Sequence, residues 1–440
     1  VASGPGAVAA TDLPRWTLEE IAWYLTDGFW TDAGQTPRAW DIAAGDTLTV
    51  DLSGLDAAGA AAARAALDAW TQVSGIRFEE VTGAADIRFD DDEEGAFAQT
   101  QVVGGEILRA FVNVDDAWAR NPDYHYQAFL HEIGHALGLG HAGDYNGSAD
   151  FASQAVFAND SWQVTVMSYF AQDENPASGA DFAHLATPMA ADVLAIQSLY
   201  GTADDLRAGD TVYGDGAGAD APDLYGGKAL TIVDSGGYDL IDLRSSAADQ
   251  RIDLTPGAAS DLEGLAGALA IATSTVIEAA ATGAGDDTLT GNAAANWLSG
   301  GAGDDVFHMG GGADVVEGGA GSDTLHLAGR ADDYAVTVWG GWVGLLGGWD
   351  WSWGWDYAAG VEVFAFADGS FDGAGMARLA AGWSYGWYLD GAGAWVYAAE
   401  AVRGWSLADG WSLSTAWVWS WGWSYGWALG WHWEPGWHTA

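Results

Sequence analysis

His131-Glu132-Ile133-Gly134-His135-Ala136-Leu137-Gly138-Leu139-Gly140-His141 is the stretch from which the rest of the chain can be placed. Two histidines four residues apart on a helix lie about 40° apart around its axis, so both imidazoles point the same way. One metal ion needs that geometry from two ring nitrogens. Glu132, one residue after the first histidine, points too far aside to be a third ligand and can instead reach a water on the metal. Gly138 permits a left-handed backbone that ends the helix, and the turn returns His141 as the third imidazole. Three neutral nitrogens leave one position open, the arrangement of a catalytic rather than a structural zinc. A bare H-E-x-x-H arises by chance on surface helices, whereas the extended pattern through His141 does not readily do so.

Composition narrows what else the chain can do. Its 440 residues leave room for two or three domains. The formal charge is −48, from 62 acidic against 14 basic side chains, and Lys228 is the sole lysine. Such a surface repels nucleic acid and anionic membranes, so neither is expected as a partner. No cysteine is present, which excludes disulfides and thiolate metal sites. No signal-peptide pattern and no run of 18 apolar residues is found, so no transmembrane segment is expected.

Residues 1–15 are small and polar and read as a loose arm. A helix is expected over Leu18–Leu25 with Thr17 as its cap, and strand alternation appears at 47–52. Ala57–Val73 has helical spacing of its leucine and tryptophan. Short strands follow at Ile76–Val81, Ala85–Phe89 and Glu106–Asp115, and the acidic run Asp90–Glu94 reads as a solvated loop. The metal-binding helix should cover Tyr126–Leu137, and Thr187-Pro188 should open a last helix that Gly201 stops.

Five nonapeptides run without a gap between Thr282 and His326. Their sixth position reads Asp287, Asn296, Asp305, Asp314, Asp323, and their eighth reads Leu289, Leu298, Phe307, Val316, Leu325. Glycine-rich units of this period, each with an aspartate and then an apolar residue, form a parallel β-roll that binds calcium. Gly283, Gly285, Gly301, Gly303, Gly312, Gly319 and Gly321 turn tightly and expose carbonyls, which Asp287, Asp305, Asp314 and Asp323 join around the ion. Asn296 is neutral and its unit lacks paired glycines, so that turn should bind calcium weakly.

The first half resembles the metzincin zinc endopeptidases, because Val166-Met167-Ser168-Tyr169 is similar to their Met-turn, whose methionine forms an apolar floor beneath the metal. Residues about 28–330 resemble the serralysins, the calcium-binding, repeat-containing branch. That likeness rests on 131–140, Gly143-Asp144-Tyr145-Asn146, 166–169 and Ala195-Ile196-Gln197-Ser198-Leu199-Tyr200-Gly201. Ala142 departs from it, since the family usually carries proline after the third histidine. The resemblance implies several further roles. Tyr169 would coordinate the resting zinc and swing to the oxyanion during turnover. Asp210, Asp239 and Glu278 would ligate calcium at the entry to the roll. The strand Glu106–Asp115 would border the cleft and pair with extended substrate. It also implies secretion to the extracellular medium, by the type I route of a Gram-negative bacterium.

The expected fold is therefore an α/β (α+β) metzincin catalytic domain over 1–201, an all-β parallel β-roll over 202–330 and a C-terminal antiparallel β region over 331–440. One catalytic zinc and several structural calcium ions are expected, with extracellular proteins as substrates. Nineteen of the 27 tryptophans lie between Trp339 and Trp437, and from Trp417 to Trp433 aromatic residues and Leu429 hold alternate positions. Trp349–Tyr357 and Trp383–Leu389 repeat that alternation, the mark of strands with one aromatic face. That face fits a β-domain core, a platform for polysaccharide, or a self-association surface. The rival to an endopeptidase is a calcium-dependent adhesin or self-assembling matrix protein with a vestigial protease domain.

Overall fold

Alanine and spaced apolar residues make Ala57–Ser74 one helix, capped by Asp56 and ended by Gly75 at φ +69°. Its buried face carries Trp70, whose indole N–H donates to the Leu130 carbonyl at 2.9 Å. This ties it to the metal-binding helix. The computed structural model describes residues 13–203, 205–219, 221–347 and 355–381, and the backbone of the strands Trp383–Leu389, Trp395–Ala401, Trp417–Gly426 and Gly430–Thr439. The expected arm at 1–15 lies mostly outside these residues, as does most of the Trp349–Tyr357 stretch. The chain divides into two units, Val1–Ala280 and Ala281–Ala440. The boundary expected after residue 201 falls inside the first unit, and that after 330 inside the second.

In the first unit a five-stranded sheet has the order Arg77–Glu80, Thr47–Gly54, Ile87–Asp90, Glu106–Val114, Ala96–Val103. Only Ala96–Val103 runs antiparallel to its neighbour. This corrects an expectation. Glu106–Val114 is interior, paired on both sides, so it cannot be the strand that receives an extended peptide. The edge on that side of the sheet belongs to Ala96–Val103, a strand hidden in the sequence by its glutamines and threonine. The metal-binding helix also starts earlier than expected, at Pro122, because Asn121 caps it and Pro122 suits the first turn. The first helix leaves α geometry after Trp23 and continues as a π-turn over Tyr24–Gly28, the helix expected after Pro188 begins at Ala190 with Met189 as its cap, and a later helix, Gly373–Ala381, follows in the second unit.

The second unit coils with the nonapeptide period. Thr288–Thr290, Val306–His308, Thr324–His326 and Val363–Phe366 stack in parallel in one column. Trp297–Ala302, Val315–Ala320 and Asp356–Ala359 stack in a second. Leu289, Phe307, Leu325 and Phe364 of the first column are buried, as are Leu298, Val316 and Ala358 of the second. Tyr334–Trp339 and Trp342–Gly347 then form an antiparallel hairpin against Asp356–Ala359. The last four strands make an antiparallel sheet in chain order. Their tryptophan side chains lie outside the described residues, so the aromatic-platform and self-association readings rest on sequence alone.

Candidate metal centre

The helix Pro122–Ala136 delivers His131 and His135 from one face, and Gly138, at φ +105°, turns the chain back. A side chain at Gly138 would collide with the Arg38 carbonyl, so the turn requires glycine. Three carbonyls left over at the helix end are taken by aromatic donors from afar. Trp40 Nε1 donates to Ala136, Tyr200 Oη to Leu137 and Trp30 Nε1 to Gly138, at 2.9, 2.6 and 2.9 Å. Sequence patterning missed this clamp, because no local spacing links residues 30, 40 and 200 to the turn.

His131 Nδ1 is 2.7 Å from the Val166 carbonyl and His135 Nδ1 is 2.8 Å from that of Leu139. A ring that donates from Nδ1 keeps its lone pair on Nε2. His135 Nε2 lies 3.0 Å from His141 Nε2, and one ligand atom from each of the three rings lies within 4.8 Å of the others. A tetrahedral zinc with bonds of about 2.0–2.1 Å holds neighbouring nitrogens roughly 3.3 Å apart, so the donor set fits that ion. Burial lowers the pKa of His131 to about 4 and, with the neighbouring His131 charge, that of His135 to about 3. The same causes put His141 well below the ordinary value. All three rings are therefore neutral at pH 7, the form that ligates.

Glu132 is 6% exposed, its Oε2 has no hydrogen-bond partner, and burial pushes its pKa up to about 8. An unpartnered buried carboxylate oxygen is costly unless something polar enters beside it. The Tyr169 ring lies 4.6 Å from that of His141 and 5.7 Å from that of His131, and its hydroxyl accepts from Gly147 N–H at 3.3 Å. Met167 is fully buried beneath the helix. A Cβ on Gly134 would stand 2.6 Å from its sulfur and 3.2 Å from the Trp70 ring. Gly134→Val is therefore expected to destabilise by about 3 kcal/mol through overpacking, lowering the thermal midpoint by roughly 6–12 °C. An unchanged midpoint in calorimetry would show that the floor has slack.

Asp192 was not anticipated. It is fully buried and accepts from Thr165 Oγ1, Val166 N–H and Met189 N–H at 2.5, 2.7 and 2.8 Å, so it ties the Met167 turn to the helix Ala190–Tyr200. The signal lay in an aspartate at the third residue of a helix that is otherwise apolar at its start.

The expected calcium residues also come together, within each unit taken alone. In the first, Asp239 N–H donates to Glu278 Oε2 and Tyr238 N–H to Asp210 Oδ1, both at 2.9 Å. Asp239 is buried and its Oδ2 has no partner. In the second, Asp287 N–H donates to Asp305 Oδ1, Asp305 N–H to Asp323 Oδ1 and Asp323 N–H to Glu362 Oε2, at 2.9, 3.0 and 2.8 Å. Oδ2 of Asp305 and of Asp323 is buried without a partner. In the other column Asn296 N–H donates to Asp314 Oδ1, and Asp314 N–H to Asp356 Oδ1, at 2.8 and 3.0 Å.

The glycines meet the same requirement from the backbone side, though not all in the same way. Gly303 and Gly321 sit at φ +138° and +148°. A Cβ on Gly303 would strike the carbonyl of Gly285, and one on Gly321 that of Gly303, each one coil earlier. A Cβ on Gly301, Gly312 or Gly319 would likewise strike a carbonyl. Gly283 and Gly285, in the first turn of the series, contribute through their carbonyls rather than through a left-handed backbone. Neither is among the glycines of positive φ. Gly285 is buried, and its part is to offer a carbonyl against which Gly303 packs. The Gly283 carbonyl accepts from Ala302 N–H at 2.8 Å.

Burial and neighbouring carboxylates raise Asp239 and Asp305 to about 7, and Asp323 upward as well. Carbonyls beside unpartnered carboxylate oxygens suit a hard cation such as calcium. Glu362 and Asp356 end the two series and were missed. Val361-Glu362 resembles Ile277-Glu278, a β-branched residue before the glutamate in each.

Residues 202–367 match the family described as Peptidase M10 serralysin C terminal. The chain is 38% identical over 262 residues to a serralysin of Photorhabdus luminescens, covering 54% of this chain and 53% of that one. It is 38% identical over 302 residues to serralysin C of Dickeya chrysanthemi, covering 62% of each. A second Dickeya chrysanthemi protein, serralysin B, is 39% identical over 234 residues, covering 50% of this chain and 47% of its own. The chain thus spans between about half and three fifths of the length of these curated relatives.

Proposed function

We propose that this chain, serralysin-type by those relationships, is a zinc endopeptidase acting on extracellular proteins. One observation carries the proposal: three neutral imidazoles converge beside a buried glutamate whose Oε2 has no partner. His131, His135 and His141 would hold the ion through their ring nitrogens, with rings fixed by the Val166 and Leu139 carbonyls in the first two cases. A zinc ion held there supplies Lewis acidity to an attacking water and to the scissile carbonyl. Glu132 takes the water proton at Oε2 and returns it to the leaving amine. Its raised pKa suits both tasks near neutral pH. The Tyr169 hydroxyl, released from Gly147 N–H, would donate to the developing oxyanion, and by family likeness would ligate the resting ion.

Calcium would stabilise the fold by neutralising the stacked carboxylates, including those of Asp210, Asp239, Glu278, Asp287, Asp305, Asp314 and Asp323. The three-part organisation at 201 and 330, and export of an unfolded chain that folds in external calcium, belong to the same proposal. No helix among the described residues is long and apolar enough to cross a membrane. Casein zymography tests the activity. Clearing should disappear on zinc chelation and return with added zinc. Cleavage at the parent rate in excess chelator would overturn the proposal.

A further inference from the structure

The three imidazoles of the metal centre are not held alike. His131 and His135 each meet a carbonyl through Nδ1, whereas His141 Nδ1 is buried with no hydrogen-bond partner among the described residues. The Tyr145 backbone is near enough to act on the charge of that ring but is not in bonding position. A ligating ring takes its orientation from whatever its second nitrogen and its faces touch. For His141 the neighbours are aromatic. Phe29 lies 5.2 Å away and Tyr169 4.6 Å, both steeply inclined, and Tyr145 lies 5.7 Å away with 35° between the planes. A Cβ on Gly140 would strike the Phe29 ring, so that wall has no slack.

Tyr145 is the wall with a polar anchor. Its hydroxyl donates to the two oxygens of Asp160, at 3.2 and 3.1 Å. Tyr145 is 3% exposed and Asp160 is fully buried. Asp160 is itself held, because Asn175 Nδ2 donates to its backbone carbonyl at 2.9 Å and to that of Ala158 at 3.0 Å. Gly143 lies against the Tyr145 ring, where a Cβ would stand 2.5 Å from Cε1. The Tyr169 ring is 4.9 Å from the same phenol at 35°, and Phe170 is 5.2 Å away at 71°. One anchored ring therefore packs against both His141 and Tyr169.

A buried tyrosine–carboxylate bond is a poor source of stability in itself, since an apolar pair of the same shape would avoid the desolvation cost. What such a bond adds is direction, because a fully satisfied polar pair fixes its ring in one place. We propose that Tyr145, pinned by Asp160, is a positioning residue that sets the orientation of the His141 imidazole and the resting seat of the Tyr169 phenol. This rests on the zinc reading of the centre and adds the device that holds its third ligand. The motif through His141 does not contain that device, since Tyr145 and Asp160 both lie beyond its end.

The test uses the full chain with calcium and takes two readings. One is the zinc dissociation constant, by competition with a chelator. The other is visible absorption after zinc is replaced by copper(II), where a coordinated phenolate gives a charge-transfer band. Asp160→Asn, whose amide oxygen still accepts from Tyr145, should retain most of the affinity and of the band. Tyr145→Phe combined with Asp160→Asn removes the bond without leaving a buried unpaired charge. It should raise the zinc dissociation constant on the order of 10- to 100-fold and diminish the copper band. Tyr145→Phe alone, read in the same way, should show the same two losses. Parental zinc affinity together with a parental band in either phenylalanine variant would overturn the positioning role and leave the endopeptidase standing. A parent protein that binds no zinc would overturn both.

Discussion

Glu132→Gln is expected to lower kcat/KM for peptide cleavage by about 10³–10⁴-fold, the contribution of a positioned general acid–base. Glutamine keeps the shape and one acceptor oxygen but cannot take a proton from water. Zinc content should not change, because the three imidazoles and their carbonyl partners are untouched. Stability should not fall either. The folded pKa of Glu132 is raised to about 8, above its ordinary value of 4.5, so the charged form is penalised in the fold. Its linkage therefore runs toward lower stability as pH rises from 4.5 through 8. Removing the titrating group abolishes that slope, and the metal-free variant should equal or exceed the parent in thermal midpoint at pH 8. Kinetics and calorimetry on one preparation check both halves. A variant with parental turnover would remove Glu132 from the mechanism.

Chelating calcium at pH 8 is expected to abolish most of the β-strand signal from the coiled region in circular dichroism. The reason is the ladder of buried acids. Asp239 and Asp305 are raised to about 7, and Asp323 upward, first by burial and then by the carboxylates stacked around them. A carboxylate whose folded pKa lies above its unfolded value near 3.8 favours folding when protonated. That benefit is complete below pH 3.8 and is lost as pH climbs through 7. Calcium reverses the logic by neutralising the charged form, so with the ion bound the acids stabilise at pH 8. The chelated protein should thus be more structured at pH 5 than at pH 8, with a midpoint higher on the order of 10 °C. The calcium-loaded protein should show no such loss. Strand signal that persists at pH 8 in excess chelator would mean that the apolar columns of Leu289, Phe307, Leu325 and Phe364 suffice alone.

Much of the centre was legible because its chemistry is local in sequence. Helical spacing sets His131 and His135 together, and one glycine brings His141 back. The nonapeptide period carried the coil in the same way, since each turn repeats its own requirements. What escaped detection depends on distant partners. Asp192 looked like an ordinary helix-start acid until its bonds to Thr165, Val166 and Met189 placed it under the Met167 turn. Ala96–Val103 lacks the apolar alternation of a half-buried strand because, at the edge of its sheet, it is only partly covered. Its position displaced the role assigned to Glu106–Val114. Glu362 and Asp356 close the carboxylate series from outside the repeats, where the period no longer points to them. The 18-residue step also stacks His308 on His326 at 4.8 Å, two rings that linear spacing left unrelated.

Zinc K-edge X-ray absorption on the Glu132→Gln protein tests the central claim most directly. The expected spectrum shows one zinc per chain with three imidazole nitrogens at about 2.0–2.1 Å and oxygen in the remaining position. A fourth nitrogen ligand, or a protein that retains no zinc when folded, would contradict it.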